Sequence, residues 1–174
     1  WTSELPARAS TFNESMANSL PPVDGLPVMF LWGQEAGMGF TTFSFDTPCD
    51  DDVYVWVLGW DAEGNDPSNS DSFYFGLDEE AVTIDSDVWE YGCDNSFRGR
   101  GWQWYPVRIT GDECGDDDPI SYALDEGDHE FTVVPRETAS FDPINFNFGG
   151  LAAFVATNDP DYDPRDDYDP SPPE

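Results

Sequence analysis

The sequence predicts an all-β chain folded as an antiparallel β-sandwich, and three observations carry that reading. Alternating or continuous apolar runs recur at 26–32, 40–46, 53–60, 72–78, 102–110, 129–135 and 144–156, each the length of one strand. Clusters of Asp, Gly, Asn and Pro separate several of them, at 61–70, 111–119 and 124–128, where turns need such residues. No helical pattern is long enough to supply β-α-β crossovers.

Taken in order, residues 1–25 are polar with scattered apolar positions and a Pro21-Pro22 pair. They read as an N-terminal arm, with a short helix predicted over 12–20. The sandwich is predicted over 26–157. Its best strand is 53–60, where Val53, Val55 and Val57 alternate with Tyr54, Trp56, Leu58 and Trp60. Both faces are apolar, so this strand is either packed on both sides or presents one side as a binding surface. Residues 158–174 form an acidic, Pro-rich tail or linker in which Asp-Tyr-Asp-Pro occurs twice, at 161–164 and 167–170.

Charge excludes whole classes of function. The 174 residues carry 37 Asp and Glu against 6 basic residues, a formal net charge of −31. All the basic residues are Arg and there is no Lys. Such a field repels phosphate backbones and anionic membranes, so no nucleic acid is expected as a partner. No apolar run approaches the ~20 residues of a spanning helix, so membrane insertion is not expected. A lysine nucleophile is impossible, and a single histidine, His129, rules out a multi-histidine metal site. Aromatic residues make up 16% of the chain, too many for an acidic disordered segment, so most of it should fold.

Residue 1 is Trp, which reads as the product of a removed secretory signal, and a secreted, extracellular or cell-surface protein is expected. The three cysteines, Cys49, Cys93 and Cys114, suit one internal disulfide and one leftover thiol. Cys49 with Cys114 joins the start of one predicted strand to the end of another; Cys93 with Cys114 is the alternative.

No nucleophile or base stands out for an enzyme. Gly-x-Ser-x-Gly and His-Glu-x-x-His are absent, and His129 follows a turn, where its expected role is a bond to nearby backbone. Clustered carboxylates at Asp50 and Asp52, and at Asp116 and Asp118, offer the oxygens that calcium takes. Asp159, Asp161 and Asp163 alternate as in a calcium loop, but Pro164 stands where Gly would make the turn. A solvated acidic surface suited to a saline habitat explains the same residues. Seven rings lie within fifty residues, Trp56, Trp60, Trp89, Tyr91, Trp102, Trp104 and Tyr105, and five of them, Trp56, Trp60, Trp102, Trp104 and Tyr105, stand on the expected strands 53–60 and 102–110. Exposed indoles and phenols stack on the apolar faces of sugar rings, and Trp102 and Trp104 share one side of a strand. These five are the candidate glycan-binding residues.

The chain also resembles a family, the galactose-binding-like carbohydrate-binding modules, which are jelly-roll β-sandwiches. The resemblance runs over about 40–164. It rests on Val53-Tyr54-Val55-Trp56, Asp71-Ser72-Phe73-Tyr74-Phe75 with Asp78, Gly101-Trp102-Gln103-Trp104, Gly127-Asp128-His129, Arg136-Glu137 and Thr157-Asn158-Asp159-Pro160. It implies a non-catalytic, adhesive or cell-surface module with a polysaccharide or glycan as partner. It makes His129, Arg136 and Glu137 framework residues and places Asp159 at the close of the last strand. The cysteines and the first 35 residues lie outside it. An alternative is a structural subunit of a filament or surface layer, self-associating by strand exchange. Its donated strand would be residues 26–32 or the first ten.

Overall fold

A computed structural model describes residues 2–6, 8–9, 29–31, 40–61, 72–79, 81–90, 101–108, 119–136, 141–142, 145–146 and 149–167. Two antiparallel sheets face each other. In the first, β5 (Asp51–Asp61) pairs on one flank with β13 (Gly149–Thr157). On its other flank it pairs with β9 (Ser121–Leu124) along its first half and β8 (Gly101–Pro106) along its second. The far edge of β13 is taken by β1 (Thr2–Pro6) and β3 (Met29–Leu31). The second sheet runs β2 (Arg8–Ala9), β4 (Thr41–Thr47), β10 (Gly127–Pro135), β6 (Ser72–Leu77), β7 (Asp87–Glu90). A separate two-stranded ladder joins β11 (Phe141–Asp142) to β12 (Asn145–Phe146). One helical turn, α1 (Pro164–Asp167), follows the last long strand.

Period-2 alternation builds the core. Val53, Val55 and Val57 of β5, Tyr105 of β8 and Phe154 of β13 meet Phe43, Phe45, Phe73, Phe75, Phe131 and Val133 of the opposite sheet. The rings interlock: Phe43 and Phe154 have centroids 5.0 Å apart, and Phe45 meets Phe154 edge-on at 5.5 Å. Trp89 ties the two sheets, because its indole N–H donates to the Pro106 carbonyl at 3.0 Å while its ring packs on Phe73.

The strands expected from the sequence are present wherever the structure describes them, with shifted ends. β7, β9 and β11 lie outside the expected runs, and β1 and β2 are anticipated only as a strand donated to another copy. β1 and β2 matter for domain organisation: Thr2–Pro6 joins one sheet and Arg8–Ala9 the other. The sequence boundary at residue 26 places these residues outside a sandwich that they help to close. Pro6 is tolerated because β1 is an edge strand. Both segments considered as donated strands are paired within the chain where described, β1 and β3 with β13 and β2 with β4. The helix expected over 12–20 lies outside the described residues.

The core makes a direct prediction. Phe131 is 1% exposed and touches the rings of Phe43, Phe75 and Phe154. Phe131→Ala should cost about 3–5 kcal/mol of stability, read as a lowered midpoint in urea with an unchanged slope.

Candidate functional site

Three of the five predicted platform rings, Trp56, Trp104 and Tyr105, are buried. Trp56, Leu58, Trp104, Ala153 and Val155 are all buried, yet none belongs to the core between the sheets. Ladder register explains this: Trp56 pairs with Val155, and Leu58 with both Ala153 and Trp104. They occupy the outer face of the first sheet. The start of the acidic tail lies over that face. Asp163 caps α1, accepting the Arg165 backbone N–H at 2.9 Å, with Pro164 buried at the first helical position. Arg165 then sits 5.0 Å above the Trp56 ring and is gripped by the Asp163 carboxylate through Nε and Nη2. Burial alone would raise the Asp163 carboxyl, but the hydrogen bonds and charge of Arg165 hold it below the ordinary value.

Trp56 at 1% and Trp104 at 8% exposure therefore offer no stacking surface. Tyr105 faces the opposite way, into the core. The expectation that these three rings form a glycan platform is corrected on that ground. The side chains of Trp60 and Trp102 lie outside the described residues; their backbones pair in the β5–β8 ladder.

The acidic clusters divide similarly. Asp50 staples a turn, since its Oδ1 accepts the Glu126 backbone N–H at 2.7 Å. Its neighbour Asp51 accepts from the Asn158 side chain at 2.7 Å, which draws the Asp51 carboxyl below its ordinary value. Asp52 is exposed on β5, and Asp116 and Asp118 lie outside the described residues. Among the described residues, no three His, Cys, Asp or Glu side chains are grouped to hold a metal ion. Cys49 carries a free, exposed thiol, which corrects the Cys49–Cys114 pairing. The start of β5 pairs with β9, Asp51 opposite Leu124, so the 124–126 turn is the neighbour of that bend. Cys93 and Cys114 lie outside the described residues.

His129 is a clasp, as its framework reading anticipates. Its Nδ1 meets Asp78 Oδ2 at 2.6 Å, and its Nε2 meets the Asp125 carbonyl at 2.8 Å and Thr47 Oγ1 at 3.0 Å. The Thr47 hydroxyl itself donates to the Asp125 carbonyl at 2.6 Å. A carboxylate and a carbonyl both accept, so this geometry wants an N–H on each ring nitrogen, the imidazolium. Burial alone would lower the His129 pKa, but the hydrogen bonds to Asp78 and Asp125 carry it above the ordinary value. Asp78 adopts a left-handed backbone (φ 57°) and locks to Glu130 in both directions. Its N–H donates to the Glu130 carbonyl and its Oδ1 accepts the Glu130 N–H, each at 2.8 Å.

That clasp positions the site the sequence did not reveal. Beyond Asp78 the chain folds back over the outer face of the second sheet. There a groove of about 290 Å³ is lined by Phe40, Thr42, Glu79, Ala81, Val82, Glu130, Thr132 and Val134. Thr42 and Thr132 form its floor and bond each other at 2.9 Å. Gly76 lets the returning segment lie close: a Cβ there would stand 2.6 Å from Glu79 Cδ and 2.8 Å from Val82 Cγ2. Phe40, 46% exposed, supplies an aromatic surface. The signal available in the sequence was the Phe-Gly-Leu-Asp-Glu-Glu run at 75–80, a strand ending in a residue able to take a left-handed turn. Nothing in it said which side the chain would return to.

Neither a protein-family model nor a curated protein sequence matches the chain. Solved structures do. A GH26-CBM35 β-(1,4)-mannanase from Podospora anserina is similar at a TM-score of 0.53 and 10% identity, covering 91% of this chain and 28% of that one. A family 35 carbohydrate-binding module from Clostridium thermocellum matches at 0.45 with 9% identity, over 91% of this chain and 92% of its own. Another from an environmental isolate matches at 0.47 with 11% identity, over 90% and 92%. The chain has the jelly-roll fold. This is the sandwich expected from the strand spacing and the family resemblance, and the chain spans little more than a quarter of the mannanase it resembles.

The clasp predicts a pH dependence. A raised His129 pKa gives stability that is complete below the unfolded value of about 6.5 and is lost as pH rises through the folded value. The wild-type melting temperature should fall as pH rises above about 6.5. His129→Gln should melt lower and show a flatter profile over that range. Identical slopes for the two proteins would contradict the clasp.

Proposed function

We propose that this chain is a non-catalytic glycan-binding module of a secreted or cell-surface protein, and that it takes its ligand in the groove on the outer face of the second sheet. The observation that carries the reading is the groove itself: an exposed aromatic ring, Phe40, beside two carboxylates, Glu79 and Glu130, over a rigid sheet floor. An aromatic face packs on the apolar side of a pyranose while acceptors take its hydroxyls. The jelly-roll fold supports the reading, being the fold of the carbohydrate-binding modules it resembles. Its volume suits one or two sugar rings of a longer chain. Phe40 and Glu130 stand on or beside paired strands, so the surface is largely pre-formed.

Calcium belongs to this proposal as a structural ion near Asp50 and Asp52, with Asp116 and Asp118 as the remaining donors. It would brace the turn end of the sandwich, since carboxylates and loop carbonyls are its preferred ligands.

The test is affinity electrophoresis through soluble mannan, xylan, galactan, β-glucan and chitosan, each run with calcium and with a chelator. At least one polymer should retard the protein. Phe40→Ala should weaken that retardation roughly tenfold, the equivalent of about 1.4 kcal/mol. Free migration through every polymer would overturn the glycan reading. A loss in chelator alone would assign calcium its bracing role.

A further inference from the structure

We propose that the groove selects glycans bearing positively charged amino groups, polymers of N-deacetylated hexosamine, over neutral and uronic-acid chains. The inference rests on the glycan-binding reading of the same groove and adds the chemical class of ligand.

The polar character of the groove is one-sided. Its described lining holds two carboxylates, Glu79 and Glu130, and no basic side chain. The threonine hydroxyls of the floor are bonded to each other. Among the described lining, what remains to meet a ligand is acceptor-only, because a carboxylate offers no proton. The two acids are held near each other by the backbone. Glu79 follows Asp78, and Asp78 is bonded to Glu130 through two hydrogen bonds of 2.8 Å. Glu79 is further fixed by Ser86, whose hydroxyl donates to Oε2 at 3.3 Å, and by its seat over Gly76.

An ammonium group answers this arrangement best. It brings up to three N–H donors and a charge, and a charge-assisted hydrogen bond is roughly twice as strong as a neutral one. A neutral hydroxyl satisfies the same acceptors more weakly. A uronate carboxylate meets two like charges inside a molecule of net charge −31, and like-charge juxtaposition disfavours the wrong partner. Phe40 packs equally on all three sugars and so contributes affinity without discrimination.

A polycation would also be drawn to any acidic surface, so the decisive comparison is between positions. Asp161 and Asp166 are exposed in the tail segment that lies over the first sheet, on the other side of the sandwich from the groove. The double variant Asp161→Asn/Asp166→Asn removes as much charge as Glu79→Gln/Glu130→Gln while leaving the groove intact. Isothermal titration calorimetry at about 0.15 M salt would use glucosamine hexamer, N-acetylglucosamine hexamer and galacturonate hexamer.

We expect glucosamine hexamer to bind at least about tenfold tighter than its acetylated counterpart, with no binding of galacturonate. The groove double variant should lose about tenfold or more, and the control double about twofold or less, in line with rim charges far from a ligand. Equal losses in the two doubles would overturn the proposal, since attraction would then be a property of the whole surface. So would equal or tighter binding of the acetylated hexamer. If Phe40→Ala weakens neutral-glycan binding while the groove double does not, charge selection fails and the glycan reading stands. Absence of binding to any glycan removes both. Circular dichroism melts of each variant check that it is folded.

Discussion

β5 has two apolar faces, and both have to leave water. Its valines meet the phenylalanines of the second sheet, which is the ordinary core of a sandwich. Trp56 and Leu58 point the other way, beside Trp104, Ala153 and Val155. Left open, these side chains would form an apolar patch larger than monomers ordinarily tolerate. The chain covers them in part with its own tail. Asp163 starts a helical turn, Pro164 is buried and Arg165 lies on the Trp56 ring. This constraint takes Trp56 and Trp104 out of contact with any partner, whereas the outer face of the second sheet carries an open groove.

On that second face the arrangement depends on one buried histidine. His129 joins Asp78 to the Asp125 carbonyl and to Thr47, so it holds the end of β6, the turn before β10 and the end of β4 at one point. Asp78 in its left-handed conformation then directs the chain back over Gly76. The groove wall is thus fixed by a polar clasp in the framework, and the residues facing the groove are free to be acidic. The charge of −31 becomes consistent with both folding and binding. The described carboxylates lie mainly on exposed strand ends and turns, where several cap backbone N–H groups, as Asp50, Asp78 and Asp163 do.

Much of the fold was legible in the sequence because burial imposes a period of two. The alternation in 53–60 gave a central strand, and its two apolar faces gave burial on both sides as one of two outcomes. The place of His129 after a turn implied a bond to nearby backbone, which the Asp125 carbonyl supplies, and the family resemblance implied its framework role. β1 and β2 were not legible as strands of the chain's own sandwich, since Thr-Ser-Glu-Leu-Pro carries no strand pattern and an edge strand needs none. The site was hardly legible at all. The chemistry of tryptophan suits it to binding sugars, but exposure depends on what folds over it, and that is a long-range fact. The groove is assembled from residues around 40–42, 79–82 and 130–134, which meet only through the β4–β10–β6 ladders. No local motif marks such a meeting.

The claim that the ligand face is the outer groove of the second sheet can be tested directly by mapping contacts at residue level. A nitrogen-15 NMR titration of the whole chain with glucosamine hexamer would follow every backbone amide. The account predicts saturable shifts centred on Phe40, Thr42, Glu79, Val82, Glu130 and Thr132, with Trp56, Trp104 and Arg165 unmoved. Shifts centred on Trp56, Trp104 and Arg165 would contradict it, and would show that the tail yields and that the aromatic face is the one that binds.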